Sequence, residues 1–345
     1  MKLLKIRALL FFCLPLFLFA GEFEDHLKIA GGDDRYLMTW EDKKRIGQFS
    51  ALFEMAQKRE LPANSIPKTL HFIWLGPQPF PKELIPDVKQ WIDLHRGWKI
   101  KFWTDLGHAA PDDRMEISVF DGFPLNELKE CYFRSENVGE RSEILRYAIL
   151  LNEGGVYVDS DMQCIKSLDS LQENYDFFCG LDVLGPSILS SSVNPSPHLL
   201  AATAQHPVLI AAKKWIASEW DRLEEQYPGT DPSAVYNRVQ HRTFRALSIG
   251  YKEAHCRAGR KDVVFPPDYF SLSKRKNALF ATHQHRGSWY KKESGAELKI
   301  QSLFDEVSSG VQNTFLLALG LTAANIALGA FVWLQVARLK KRRTV

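Results

Sequence analysis

Between Arg141 and Asp161 the chain reads RSEILRYAILLNEGGVYVDSD, and its pattern changes character three times. Ile144, Leu145, Ala148, Ile149 and Leu151 recur at helical spacing, with Ser142, Glu143, Arg146 and Tyr147 set between them. Gly154-Gly155 stops that helix, because glycine takes the positive-φ backbone a helix end often needs. Val156-Tyr157-Val158 then reads as a buried strand ending in Asp159 and Asp161, at the end where open α/β sheets bind ligands. In an extended chain, side chains two apart point the same way, so the two carboxylates are aimed at one spot with Ser160 turned away. Carboxylates that close repel unless a cation lies between them, and a hard divalent ion suits oxygen ligands.

The same patterning organises the rest. Residues 34–60 read as a helical lead-in, broken by LPANSIP at 61–67. TLHFIWL at 69–75 is apolar nearly throughout, as a central strand is, and a Gly-Pro-rich loop follows it. Residues 84–95 read as a helix, and KIKFW at 99–103 alternates like a half-buried strand. Strand, helix, strand, helix, strand predicts an α/β fold on a parallel sheet. Further on, residues 167–171 read as a turn or short helix and 176–181 as a strand. Residues 185–198 read as an irregular Ser/Pro/Asn loop, and 207–225 and 233–247 as two amphipathic helices. VVF at 263–265 reads as a short strand. No internal repeat and no second domain of convincing size is visible.

The termini place the protein. Met1–Ala20 has Lys2, Lys5 and Arg7 ahead of an apolar run and an acidic stretch after it, the layout of a signal peptide cut after Ala20 or of an uncleaved signal anchor. Thr314–Val336 is uncharged and long enough to span a bilayer, and Arg338, Lys340, Lys341, Arg342 and Arg343 behind it mark the cytosolic side. The expected organisation is a helical lead-in at 21–65, a catalytic domain at 66–292 and a linker at 293–313. A transmembrane helix at 314–336 and a basic tail at 337–345 follow. The domain would then face the Golgi or ER lumen, or the periplasm. A net charge of +3, part of it at the ends, gives no reason to expect nucleic acid. Outside the leader, Cys131, Cys164, Cys179 and Cys256 have no zinc-type spacing, and in a translocated domain they could form two disulfides.

Candidate chemistry gathers around the two aspartates. A lone Asp-x-Asp is as often a pair of surface carboxylates, but the apolar strand and glycine pair favour a metal. Glu143 and Arg146 share a helix face: either a plain surface ion pair, or an acceptor and a forked donor for a polyhydroxylated ligand. Trp74 is either a core tryptophan or a ring for a nucleobase to stack on. His283 and His285 precede Ser288-Trp289; an imidazole can complete a metal's ligands, and a hydroxyl and an indole N–H can bind phosphate oxygens.

The combination IPKTLHFIWLG, ERSEILRYAILLNEGGVYVDSD and HQHRGSW resembles the DXD-motif sugar-transferase family. That family includes the yeast initiating α-1,6-mannosyltransferase and inositol-phosphoceramide mannosyltransferases, with clostridial glucosylating toxins more distant. The likeness covers roughly residues 66–290. It implies a GT-A (Rossmann-like) fold and transfer of a hexose, of mannose or glucose type, from a GDP- or UDP-sugar to a glycan or glycolipid, with retention. It further implies that Trp74 stacks on the base, that Glu143 and Arg146 hold ribose and sugar hydroxyls, and that Tyr157 lines the donor pocket. Asp159 and Asp161 with His283 would hold Mn²⁺ or Mg²⁺, and Ser288 and Trp289 would touch the leaving diphosphate. The late motif reads His-Gln-His where many relatives have adjacent histidines; its distance from Gly287 favours His283 over His285 as ligand. Two other readings use the same residues: a metal-dependent phosphohydrolase, and a non-catalytic lectin-like membrane protein.

Overall fold

A computed structural model describes residues 22–27, 38–58, 66–105, 107–120, 122–185, 187, 189, 191–254 and 261–286. The leader, the apolar segment at 314–336, Ser288, Trp289 and Cys256 lie outside the described residues. Among the described residues no helix is long and apolar enough to cross a membrane.

In chain order the elements are α1 (Glu22–Asp25), α2 (Trp40–Lys58), β1 (Thr69–Trp74), α3 (Ile85–Leu94), β2 (Lys99–Thr104), β3 (Glu116–Val119), α4 (Lys129–Arg134) and α5 (Val138–Glu153). They continue as β4 (Gly155–Val158), β5 (Met162–Cys164), α6 (Asp169–Asn174), β6 (Phe177–Leu181), β7 (Pro195–Ala202), α7 (Pro207–Gln226), α8 (Pro232–Val239), α9 (Arg245–Ala254), β8 (Asp262–Phe265) and β9 (Ala281–His283). The main sheet has the order β3-β2-β1-β4-β7-β6-β8, and β5 and β9 form a separate ribbon.

The expected α/β class is observed, but the sheet is mixed. β7 runs antiparallel to both β4 and β6, while the other pairings are parallel. The Ser/Pro/Asn stretch read as a loop therefore ends inside a central strand. Its ladder to β6 is broken: Cys179 pairs with Leu200, but Gly180 pairs with Ser196. Pro197 falls in the break, where a missing N–H forfeits no bond to that neighbour. The break also frees Pro197 O to accept a bond from Arg146 Nη1 at 2.7 Å.

α5 starts where Asn137 caps it, the side chain accepting from Glu140 N at 3.0 Å. It ends at Gly154, with φ 66° and ψ −162°, a region open essentially to glycine alone. Gly155 has φ 100°, and a Cβ there would lie 2.7 Å from His71 Nε2 and 2.8 Å from Thr69 O. The glycine pair thus stops the helix and also lets β4 slide against β1. Burial pushes the His71 imidazole down to about 3. It is neutral, bonding Gly154 O at 2.9 Å and accepting the Trp103 indole N–H at 3.1 Å.

Two further expectations change. Residues 233–247 are not one helix: α8 passes through a π-helical turn, Gln240–Phe244, into α9. Among the described residues no disulfide is formed either: Cys131, Cys164 and Cys179 are buried free thiols.

Candidate active site

Carboxyl ends of β1 and β4 meet the amino end of β7 around a cavity of about 390 Å³. Trp74, Glu143, Arg146, Tyr157, Asp159, Asp161, His283 and His285 all line it. Asp159-Ser160-Asp161 is not extended: it forms a turn in which Met162 N bonds Asp159 O at 3.1 Å. Ser160 consequently also lines the cavity instead of pointing away. The carboxylates converge because the turn folds them together.

Tertiary pairing supplies the third member. β5 and β9 are antiparallel with Met162 opposite His283. His283 Nε2 then lies 3.2 Å from Asp161 Oδ1 and 3.7 Å from Asp159 Oδ2. One ligand atom from each of the three residues falls within 4.8 Å of the others, close enough to share one divalent cation. His285, at φ 50°, hydrogen-bonds Ser271 O at 3.3 Å, with its ring 4.0 Å from that of His283. Burial opposes ionisation of Asp161, yet the His283 hydrogen bond and the backbone N–H of Arg286, at 2.8 Å, hold its carboxyl well below the usual range. Burial likewise opposes a charge on His283, and Asp161 and Asp159 carry the imidazole above its ordinary value.

Glu143 and Arg146 are not a surface pair. They are 6% and 3% exposed and 2.7 Å apart, with Arg146 also 3.2 Å from Asp159 Oδ1. The guanidinium lies 4.1 Å over the Tyr157 ring, and Tyr157 Oη donates to Asp159 Oδ1 at 2.5 Å. Burial drives the Glu143 carboxyl up to about 7, with Arg146 pulling the other way. Glu143 Oε2, Arg146 Nε and His283 Nδ1 are buried without a hydrogen-bond partner. Such atoms are costly unless something else satisfies them, and here they surround a cavity. Trp74 is half-buried at its edge; its indole N–H donates to Gln78 O at 2.7 Å, and its ring meets Phe80 edge-on at 5.2 Å.

Residues 81–178 match the family described as glycosyltransferase sugar-binding region containing DXD motif. The matched stretch runs from the loop after β1 into β6. The chain is 31% identical over 110 residues to inositol phosphoceramide mannosyltransferase 3 of Schizosaccharomyces pombe, which is 31% of this chain and 27% of that protein. It is 27% identical over 169 residues to inositol phosphoceramide mannosyltransferase 1 of the same yeast, covering 47% and 46%. Thus it spans less than half the length of either relative. Overlap with solved structures is loose: the UDP-bound glycosyltransferase domain from the YGT toxin gives a TM-score of 0.43 at 12% identity, over 58% of this chain and 80% of that one.

Several cavity residues escaped the sequence pattern. His198 sits in β7 with its ring 4.5 Å from that of His283 and Nε2 3.1 Å from Ser271 Oγ. Asp182, just past β6, and Glu83, in a 3-10 turn between β1 and α3, line the cavity as well. None lies in a motif. Glu83 and Asp182 arrive because β1 and β6 end at this edge of the sheet, and His198 because the antiparallel β7 begins there, a placement only the strand order decides.

Proposed function

We propose that this protein is a membrane-anchored, metal-dependent hexosyltransferase of GT-A type. It would move mannose or glucose from a GDP- or UDP-sugar to a glycan or glycolipid, with retention. The observation that carries this reading is the meeting of Asp159, Asp161 and His283 with the buried Glu143–Arg146 pair in one cavity. The donor set fits a divalent cation: two carboxylates and an imidazole at short range, with His283 Nδ1 left unpartnered. When bound, Mn²⁺ or Mg²⁺ supplies Lewis-acid stabilisation of the charge that gathers on a departing diphosphate. Arg146 is already charged and lies against Asp159, so it adds a fixed cation at the same place. Glu143 accepts hydroxyls through its unpartnered oxygen, and Trp74 offers an aromatic face for the base. Ser288 and Trp289 would complete the diphosphate contacts, as the resemblance implies.

For retention the acceptor oxygen attacks the anomeric carbon on the face the phosphate leaves. The sugar–phosphate bond breaks, and the acceptor proton passes to the leaving phosphate oxygen. Asp182 is the cavity carboxylate to watch, and a sugar trapped covalently on it would refute this route. Thr314–Val336 with its basic flank supports the anchor and a non-cytosolic catalytic domain. The deciding assay supplies UDP- and GDP-hexoses with Mn²⁺ to the full chain and follows nucleotide release and sugar transfer. Turnover abolished in Asp161→Ala supports the proposal. Hydrolysis of simple phosphomonoesters without nucleotide-sugar turnover would favour a phosphohydrolase, and donor binding without release a lectin-like protein.

A further inference from the structure

The π-helical turn between α8 and α9 gives the cavity a wall built from residues outside the Asp159–Asp161–His283 cluster. Tyr236, Gln240 and Phe244 stand four residues apart and all line the cavity. In a regular α-helix, four residues overshoot one turn by about 40°, so positions four apart share a face but drift around it at each step. The turn at Gln240–Phe244 widens the helix between the last two and takes up that overshoot.

Such a turn needs holding, and the protein does so from the helix that carries Glu143 and Arg146. Arg242 is fully buried; it donates to Glu140 Oε1 at 2.8 Å and Trp220 O at 2.9 Å, pairs with Glu224, and lies 3.6 Å over the Trp220 ring. Tyr147 Oη donates to Thr243 O at 2.7 Å, and Thr243 Oγ1 to Val239 O at 2.9 Å. Glu140 and Tyr147 belong to α5, so the wall is registered directly to the donor side of the cavity.

Its chemistry is two aromatic rings and a carboxamide, without a charged group. Rings offer apolar faces to the C–H face of a pyranose, and an amide both donates and accepts to hydroxyls. Resting on the nucleotide-sugar reading above, we infer that Tyr236, Gln240 and Phe244 form the surface that reads a neutral hexopyranose. That ring belongs either to the donor or to the acceptor.

The test uses the full chain in detergent with Mn²⁺, comparing wild type with Gln240→Ala and with Phe244→Leu, which keeps most of the bulk. Calorimetry measures binding of GDP and UDP against GDP- and UDP-hexoses, thermal melts confirm folding, and transfer to methyl hexosides gives KM. If the wall reads the donor sugar, the preference for nucleotide-sugar over nucleoside diphosphate falls roughly fivefold or more, as for a lost sugar hydrogen bond. If it reads the acceptor, that preference stays and KM for the methyl hexoside rises about tenfold. Variants indistinguishable from a nucleotide-sugar-binding wild type overturn the inference alone. So does an equal loss for nucleoside diphosphate and nucleotide-sugar, which would make the wall a nucleotide contact. A wild type that binds no nucleotide-sugar overturns the pocket reading and this inference with it.

Discussion

Two buried arginines, built from the same parts, differ in what they leave open. Arg146 pairs with Glu143 and Asp159 over the ring of Tyr157. Arg242 pairs with Glu140 and Glu224 over the ring of Trp220. Their α5 partners, Glu140 and Glu143, are three residues apart on one helix, and each arginine leaves its Nε unbonded. The contrast lies in the carboxylates. Glu140 spends its second oxygen on the Ser135 hydroxyl at 2.7 Å, and Glu224 is half in solvent. Glu143 keeps one buried oxygen without a partner and borders the cavity. Burial and pairing alone therefore do not distinguish a site from a strut. Unspent hydrogen-bonding capacity facing an open volume does.

The largest expected effect is on the closed cluster. Arg242→Met strands Glu140 in the interior, and removing one partner of a buried pair costs about 3–5 kcal/mol. Chemical denaturation should show that loss; a loss under about 1 kcal/mol would mean the cluster is not a strut. Next comes Arg146→Leu. It is expected to cut nucleotide-sugar turnover by about 10²–10³, the scale of a lost donor to developing charge. It should destabilise less than Arg242→Met, because Glu143 beside the cavity can take up a proton. Equal destabilisation by the two changes would erase the distinction drawn above.

A pH series sharpens the same contrast. The Glu143 carboxyl is raised from 4.5 to about 7 in the folded protein, so the folded state holds its proton more tightly than the unfolded chain. Stability must then fall as pH rises from about 4.5 to about 7, and Glu143→Gln should flatten that decline. Asp161, held below the ordinary carboxylate range, acts with the opposite sign, losing stability only as pH drops beneath that range. Melting profiles of wild type and Glu143→Gln that run parallel across pH 4.5–7 would sink the assignment. The smallest effect concerns the aromatic beds. Tyr157→Phe keeps the ring under Arg146 but removes the 2.5 Å bond to Asp159. It should slow turnover several-fold, corresponding to about 1 kcal/mol, with a melt near wild type. Trp220→Phe should lower the melt and leave KM for the nucleotide-sugar where it was.

Much of this fold was legible because short-range rules governed it. β1, α3, β2, α5, β4 and α7 follow from periodicity, and the Gly154-Gly155 stop from backbone freedom. β3 and α4 passed unnoticed, being short and weakly patterned. β7 was misread because Pro195 and Pro197 look like loop residues until a broken ladder to β6 accommodates them. The π-turn was invisible because a helix with one widened turn keeps nearly the same apolar pattern. In the site, Asp159, Asp161, Glu143 and Arg146 could be singled out together since one helix–strand unit carries them all. His198 and Asp182 could not, since nothing in their local sequence refers to the aspartates.

The sequence by itself determined the chemistry at hand: two carboxylates after a buried strand, a charged pair one helix earlier, and histidines far downstream. Local propensity and spacing act within a few residues, so they reach no further. Only the tertiary structure decided that Glu143 and Arg146 are buried, because burial depends on what packs over a helix. It likewise decided that His283 reaches Asp161 through the β5–β9 pairing across some 120 residues of chain. The reversal of β7 and the widened turn of Gln240–Phe244 are of the same kind. At each, side chains distant in sequence bond the irregular stretch: Arg146 bonds Pro197 O in the first, and in the second Tyr147 bonds Thr243 O while Glu140 pairs with Arg242.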